Sequence, residues 1–262
     1  MRRADAVSAD TTATLTLPLP YTALDPEHVR QLAFSQYFQG ACMHGASSGL
    51  IIAFKEAYAG ADTGWDLIPL GMYKYGAGGV AGWGTICGVL NGVIAVLNLV
   101  GLHGLLGHQL MGWYSTTLFP TANCEGYVAE TGQEAIPDDE VLAHTVSDSP
   151  LCHVSISKWC EAAGVSLADK TPEGLSYKDD RCSKICADTA AKAAELINEV
   201  VYSASTAAAY MPSENVADCL ECHSARKDQV GKMDCMGCHS GDHAVLVGTY
   251  HPDGMMEQGK PK

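Results

Sequence analysis

Residues 179–203 read DDRCSKICADTAAKAAELINEVVYS, and their periodicity decides the fold class. Cys182, Ile185, Cys186, Thr189, Ala193, Leu196, Ile197 and Val200 recur at three- and four-residue steps, which aligns them on one stripe of a helix. Asp179 or Asp180 can cap it, because a carboxylate accepts from the amides that a first helical turn leaves unpaired. Strand-like alternation is scarce elsewhere, so the fold class is mainly α.

Working towards the N-terminus, Pro26 suits a first helical turn and Asp25 suits its cap. Residues 46–58, ASSGLIIAFKEAY, predict a second helix. From Tyr75 to Cys124 there is no Asp, Glu, Lys or Arg, and the apolar centre of this stretch is ICGVLNGVIAVLNLVG, residues 86–101. A membrane span needs roughly 20 apolar residues. Asn91, Asn98, His103, His108 and frequent glycine make a buried core helix the better reading, with no membrane span. The preceding GAGGVAGWG, residues 76–84, lacks the GK[ST] ending and the preceding strand of a phosphate cradle, so it is read as close backbone packing. Residues 120–150 are polar and acidic and predict a long surface excursion. The chain thus divides into an extended Thr/Ala/Pro-rich arm (1–25), a helical domain (26–203), and a linker followed by a short, irregular Cys- and His-rich region (204–262).

The chain has 262 residues, long enough for a substantial core. Its composition, 47% hydrophobic and 18% charged, excludes a disordered chain. With 16 Lys and Arg against 30 Asp and Glu, the net charge of −14 argues against nucleic-acid binding. Four Phe and four Trp beside 27 Gly make an aromatic-rich binding surface unexpected. Arg2 and Arg3 resemble a basic leader region, but no apolar run follows them. Either a signal was removed or the protein stays inside.

Cysteine is the outlier, with eleven residues. Four fall in two copies of one pentapeptide: Cys219-Leu-Glu-Cys222-His223 and Cys235-Met-Gly-Cys238-His239. Cys-x-x-Cys-His is the haem c attachment sequence. Two thiols two residues apart can each add to one vinyl group of a haem, and the adjacent His then reaches the iron as an axial ligand. Covalent attachment matters here, because a short polar tail cannot bury a haem by hydrophobic contact alone. The same four cysteines also spell C-x2-C-x12-C-x2-C, close to a four-cysteine zinc site. Zinc gives no reason for a His after both pairs, so two haem c groups per chain are favoured. His243 and His251 are the leading candidates for second axial ligands. His44, His103 and His108 are further candidates in apolar surroundings. Two His ligands make the iron six-coordinate, which favours electron transfer over substrate binding.

The other seven cysteines are Cys42, Cys87, Cys124, Cys152, Cys160, Cys182 and Cys186. Cys182 and Cys186 share a helix face. Any one of them is an ordinary core thiol, but seven together suggest a thiolate-ligated centre such as an iron–sulfur cluster. Disulfides are the rival reading for an exported protein.

Residues 82–101, GWGTICGVLNGVIAVLNLVG, resemble the Cys-Gly-x-x-x-Gly helix of the C_GCAxxG_C_C family. GACMHGASSGLIIAF (40–54) and RCSKICADTAAKAAELI (181–197) resemble its earlier and later cysteine segments, and LCHVSISKWCEAAGV (151–165) falls where the family carries another cysteine. With two haem motifs after them, the chain from about residue 28 onward is similar to the split-Soret cytochromes c. The resemblance implies a mainly helical fold. It also implies a homodimer with two stacked haems per subunit, and bis-His irons with one His from the neighbouring subunit. It further implies an iron–sulfur centre, 2Fe-2S in the form favoured here, whose best-matching ligands are Cys42, Cys87, Cys152 and Cys182. The family's Gly-Cys-Ala stands here as Gly45-Ala46-Ser47, so one family cysteine is missing. Haem attachment of this kind is expected outside the cytoplasmic membrane, in the periplasm.

The resulting expectation is an electron carrier whose acidic surface docks with basic redox partner proteins. No catalytic residues are assigned. The alternatives are an oxidoreductase whose haems feed a catalytic iron–sulfur centre, and a colourless zinc-stabilised interaction module.

Overall fold

The computed structural model describes residues 15–203, 211–212, 214, 216–217, 220 and 232–234. Five α-helices dominate: α1 (Pro26–Ala57), α2 (Gly88–Leu99), α3 (His103–Thr116), α4 (Cys152–Ala163) and α5 (Tyr177–Ser203). The strands are a two-residue antiparallel pair, β1 (Leu118–Phe119) with β2 (Thr145–Val146), in which Leu118 faces Val146. The mainly α reading holds.

The first helix is two helices. Asp25 caps it as expected, its carboxylate accepting from the Glu27 amide at 2.9 Å. It breaks at Gly40 and Ala41, where Ala41 has φ 64° and ψ −161°. This left-handed backbone is strained for a residue with a Cβ. Past the break the chain folds back on itself. A Cβ added at Gly45 would lie 2.8 Å from the Tyr37 Cα, and one at Gly49 would lie 2.7 Å from the Ala33 Cβ. His28 and Glu56 meet at 2.5 Å towards the open end. These three pairings step outward from Gly40–Ala41 in antiparallel register. The helix read at 46–58 is the second arm of this hairpin, which begins earlier, at Cys42.

The apolar stretch forms α2, ends at Gly101 (φ 75°), and resumes as α3. No helix among the described residues is long and apolar enough to cross a membrane. α2 lies against the second arm of α1 with almost no side chain between them. A Cβ on Gly88 would fall 2.9 Å from the Cys42 Cβ, and one on Gly92 would fall 2.5 Å from the Met43 carbonyl oxygen.

The sequence stripe on α5 understates its burial. Ile185, Cys186, Thr189, Ala193, Leu196 and Ile197 are buried as expected, but so are Asp180, Arg181, Ser183, Lys184 and Asp188 on its other faces. The cap also differs: α5 starts at Tyr177, and the Ser176 hydroxyl accepts from the Asp179 amide at 3.2 Å. Asp180 turns inward, accepting from the Ile136 amide at 2.8 Å and pairing with Lys184 at 3.1 Å. Lys184 also donates to the Ile136 carbonyl. Asp188 accepts from Arg30 and from the Thr121 hydroxyl. The segment 120–144, part of the 120–150 stretch read as a surface excursion, therefore clasps α5. Cys124, Ala129 and Ala135 are buried with Phe34 and Ala187.

His44 is buried, with Nδ1 3.0 Å from the Leu70 carbonyl oxygen. His103 and His108 are exposed on α3, which corrects their expected apolar surroundings.

Gly92→Ala is expected to destabilise the fold by about 2 kcal/mol, since the new methyl meets backbone that cannot swing aside. Gly104→Ala, in α3 with nothing within 4 Å of the added carbon, should stabilise by up to about 1 kcal/mol through helix propensity alone. Urea denaturation of the two variants reads the contrast.

Burial holds the His44 pKa below its ordinary value. His44 therefore stabilises the fold fully above about pH 6.5, the ordinary value for histidine, and less as the pH falls from there towards its lowered folded value. Denaturation midpoints across that window should drop with acidification, and drop less in His44→Gln.

Candidate metal centre

Four chain segments bring cysteines to one cavity of about 360 Å³, lined by Cys42, Cys87, Cys152 and Cys182. Cys42 opens the second arm of α1, directly after the Ala41 break. Cys87 is the residue before α2, and Cys152 is the first residue of α4. Cys182 lies in the second turn of α5.

Local pairing explains why the loops deliver them. The Cys152 amide donates to the Thr85 carbonyl at 2.8 Å, and the Cys87 amide to the Pro150 carbonyl at 2.8 Å. Ile86 and Leu151 bridge antiparallel between them. Gly84 lies against His153, where a Cβ would sit 2.9 Å from the histidine Cβ. Within the glycine-rich turn, the packing of backbone read from sequence holds at Gly79, where a Cβ would sit 2.6 Å from the Thr85 nitrogen, but not at Gly82, which has nothing within 4 Å. Gly76 lies close against Met43. Gly88 then lets Cys87 approach Cys42 without a methyl between them.

The thiols influence one another's pKa: Cys87 with Cys152, and Cys42 with both Cys182 and Cys186. Among the described residues no three His, Cys, Asp or Glu side chains are already drawn into a metal-binding group. The hydrogen bond from Cys152 lowers the Cys87 pKa to about 6, outweighing burial, with help from Tyr114, the Val89 amide and Arg181. Cys152 is pushed up correspondingly by its bond to Cys87. Of this pair Cys87 is thus the more acidic thiol and Cys152 the less acidic one. Cys182 is raised by its bond to Cys42 and by burial. For Cys42 the bond to Cys182 lowers the pKa, but the bond to Cys186 and burial together raise it.

The donor set fits a metal ion or cluster that prefers thiolates. The setting fits as well. Cys42, Cys87 and Cys152 each stand at a helix start, where the helix dipole favours negative charge. Arg181 also lines the cavity, and its buried Nε has no hydrogen-bond partner.

Cys186, paired with Cys182 in the sequence reading but left out of the ligand set, lies within reach of the site. Its thiol donates to the Cys42 carbonyl at 3.2 Å. Arg181, Tyr114 and Ser155 were missed. An arginine beside the stripe cysteine Cys182 was the available signal, and its significance depends on burial that periodicity did not show. Cys124 and Cys160 stand apart from the cavity. The seven cysteines in the described residues are free thiols. His44 does not line the cavity. Cys219, Cys222, His223, Cys235, Cys238, His239, His243 and His251 lie outside the described residues.

No family model matches the sequence. Over 233 residues the chain is 32% identical to the split-Soret cytochrome c of Desulfovibrio desulfuricans, covering 85% of this chain and 77% of that protein. A solved structure of split-Soret cytochrome c from Desulfovibrio desulfuricans ATCC 27774, described as having a novel iron centre, superposes with a TM-score of 0.70 at 29% identity. That match covers 88% of this chain and 94% of the other. Sequence and helical architecture agree: the chain belongs to the split-Soret cytochrome c family.

Proposed function

We propose that the protein is a di-haem c-type cytochrome that carries electrons between redox partner proteins, with a non-haem iron–sulfur centre in its helical domain. The observation that carries this reading is the joint presence, in one chain, of two Cys-x-x-Cys-His motifs and a cavity lined by four cysteines. The kinship with split-Soret cytochrome c supports it.

In this reading Cys219 and Cys222 hold one haem through thioether bonds, and His223 ligates its iron. Cys235, Cys238 and His239 do the same for the second. His243 and His251 supply the second axial ligands, within the subunit or across a homodimer. When bound, the haems supply reversible one-electron chemistry. The chain itself keeps each iron six-coordinate and closed to substrates.

Cys42, Cys87, Cys152 and Cys182 hold the iron–sulfur centre, in the 2Fe-2S form. The lowered pKa of Cys87 favours the thiolate that a metal ligand needs. The net charge of −14 favours basic docking partners and a contact that weakens with salt. Haem attachment through these motifs favours the periplasm, with residues 204–262 as a linker and haem-bearing region after the helical domain.

The first test is the optical spectrum of the matured protein, oxidised and reduced, with a pyridine haemochrome count. Two haems per chain and a split Soret band are expected. A colourless, matured protein containing zinc would overturn the cytochrome.

Iron analysis should find metal beyond the haem iron. Cys152→Ser should lose most of that extra iron while keeping both haems. If the extra iron is unchanged in Cys152→Ser, Cys152 is not among its ligands.

A further inference from the structure

Arg181 is buried, yet it stands in none of the ion pairs of the described residues. One edge of its guanidinium is used. Nη2 donates to the Ser155 carbonyl at 3.0 Å and to the Ser155 hydroxyl at 2.9 Å. That hydroxyl also accepts from Tyr114 at 3.1 Å. One face is used too, since the Trp159 ring lies 5.5 Å from Cζ. Trp159 is itself held by its indole N–H on the Ala143 carbonyl at 3.0 Å. The guanidinium is thus held by Ser155 and Trp159, while its buried Nε has no hydrogen-bond partner.

A buried cation without an anion is costly, and so is a buried donor without an acceptor. Arginine cannot escape by losing its proton. The other cation lining the cavity, Lys178, has its carboxylate, with Asp179 at 2.6 Å. Asp179 is also engaged by the Tyr37 hydroxyl at 2.7 Å. Of these two cavity cations Arg181 alone has no carboxylate partner among the described residues, and it lines the cavity where the cysteines gather. Iron held by four thiolates carries net negative charge, and buried negative charge needs a fixed cation or donor beside it.

We propose that Arg181 is the counter-ion of the iron–sulfur centre, with its Nε–H donating a hydrogen bond to a sulfur of that centre. This rests on the iron–sulfur reading above. Arg181 is a positioning and tuning residue: Ser155 and Trp159 hold it, and it favours the more negative, reduced state of the centre. It therefore sets the reduction potential of the centre above that of a site without the cation.

The test is a potentiometric titration of the full-length, matured protein, with the non-haem centre followed by its electron paramagnetic resonance signal. Arg181→Met should hold iron with a lowered midpoint potential and leave both haem potentials unchanged. Arg181→Lys, which keeps the charge, should fall between it and the parent protein. An iron-replete Arg181→Met with an unshifted potential overturns the proposal. If Arg181→Met takes up no iron, the parent protein labelled with 15N-arginine decides by electron–nuclear double resonance of its reduced centre. A 15N coupling supports the hydrogen bond, and its absence overturns it. A parent protein with no iron beyond its haems would instead sink the iron–sulfur reading itself, and the iron count separates that outcome from failure of Arg181 alone.

Discussion

The approach of α2 to the second arm of α1 is the contact on which the cysteine site depends. Gly88 and Gly92 remove the side chains that would hold the two backbones apart, so Gly92 lies against the Met43 carbonyl and Gly88 against Cys42. Cys87 precedes this contact and Cys42 lies directly across it. A β-carbon at Gly88 would meet the Cys42 Cβ at 2.9 Å and the Met43 nitrogen at 3.0 Å, with the Gly76 carbonyl oxygen closer still. The hairpin within α1 relies on the same device, with Gly45 and Gly49 set against the opposite arm. The frequent glycine of this chain therefore places backbone next to backbone, and cysteines that are distant in sequence become neighbours.

Around that contact, α5 is buried on more faces than its apolar stripe covers. The charged groups on the other faces are tolerated because each meets a partner from elsewhere in the fold. Lys184 has Asp180 and the Ile136 carbonyl, Asp188 has Arg30 and Thr121, and Arg181 has Ser155. Removing one member of a buried pair such as Asp180–Lys184 typically costs about 3–5 kcal/mol, because the survivor is left charged and dry. These pairs fix the irregular segment 120–144 onto the helix. An acidic stretch that reads as solvated in sequence thereby becomes a structural clasp.

The electrostatics of the cavity follow from where the helices begin. Three of the four candidate ligands stand at helix starts, where unpaired amides and aligned dipoles favour negative sulfur. The Val89 amide on Cys87 is one such contact. Arg181 adds a full positive charge that is screened from water. The fold thus prepares an environment for anionic sulfur, in keeping with a family that includes a protein described as having a novel iron centre.

The sequence by itself determined the helical class, the cap at Asp25, the buried nature of the 86–101 stretch and the packing role of part of the glycine-rich turn. Each of these depends on local spacing or on composition over a few turns of chain. The two Cys-x-x-Cys-His motifs are legible for the same reason, since their chemistry needs only five consecutive residues. The four candidate ligand cysteines were named from family resemblance, because spacing alone gives no pairing across 140 residues of chain. Tertiary structure decided that they share one cavity, that Cys87 and Cys152 meet through the pairing of 84–87 with 150–153, and that Arg181 is buried beside them without a carboxylate partner among the described residues. It also placed His103 and His108 at the surface and turned Asp180 inward from its expected capping role. Whether a polar side chain is solvated or enclosed depends on what packs over it, and that is set by contacts between segments far apart in the chain.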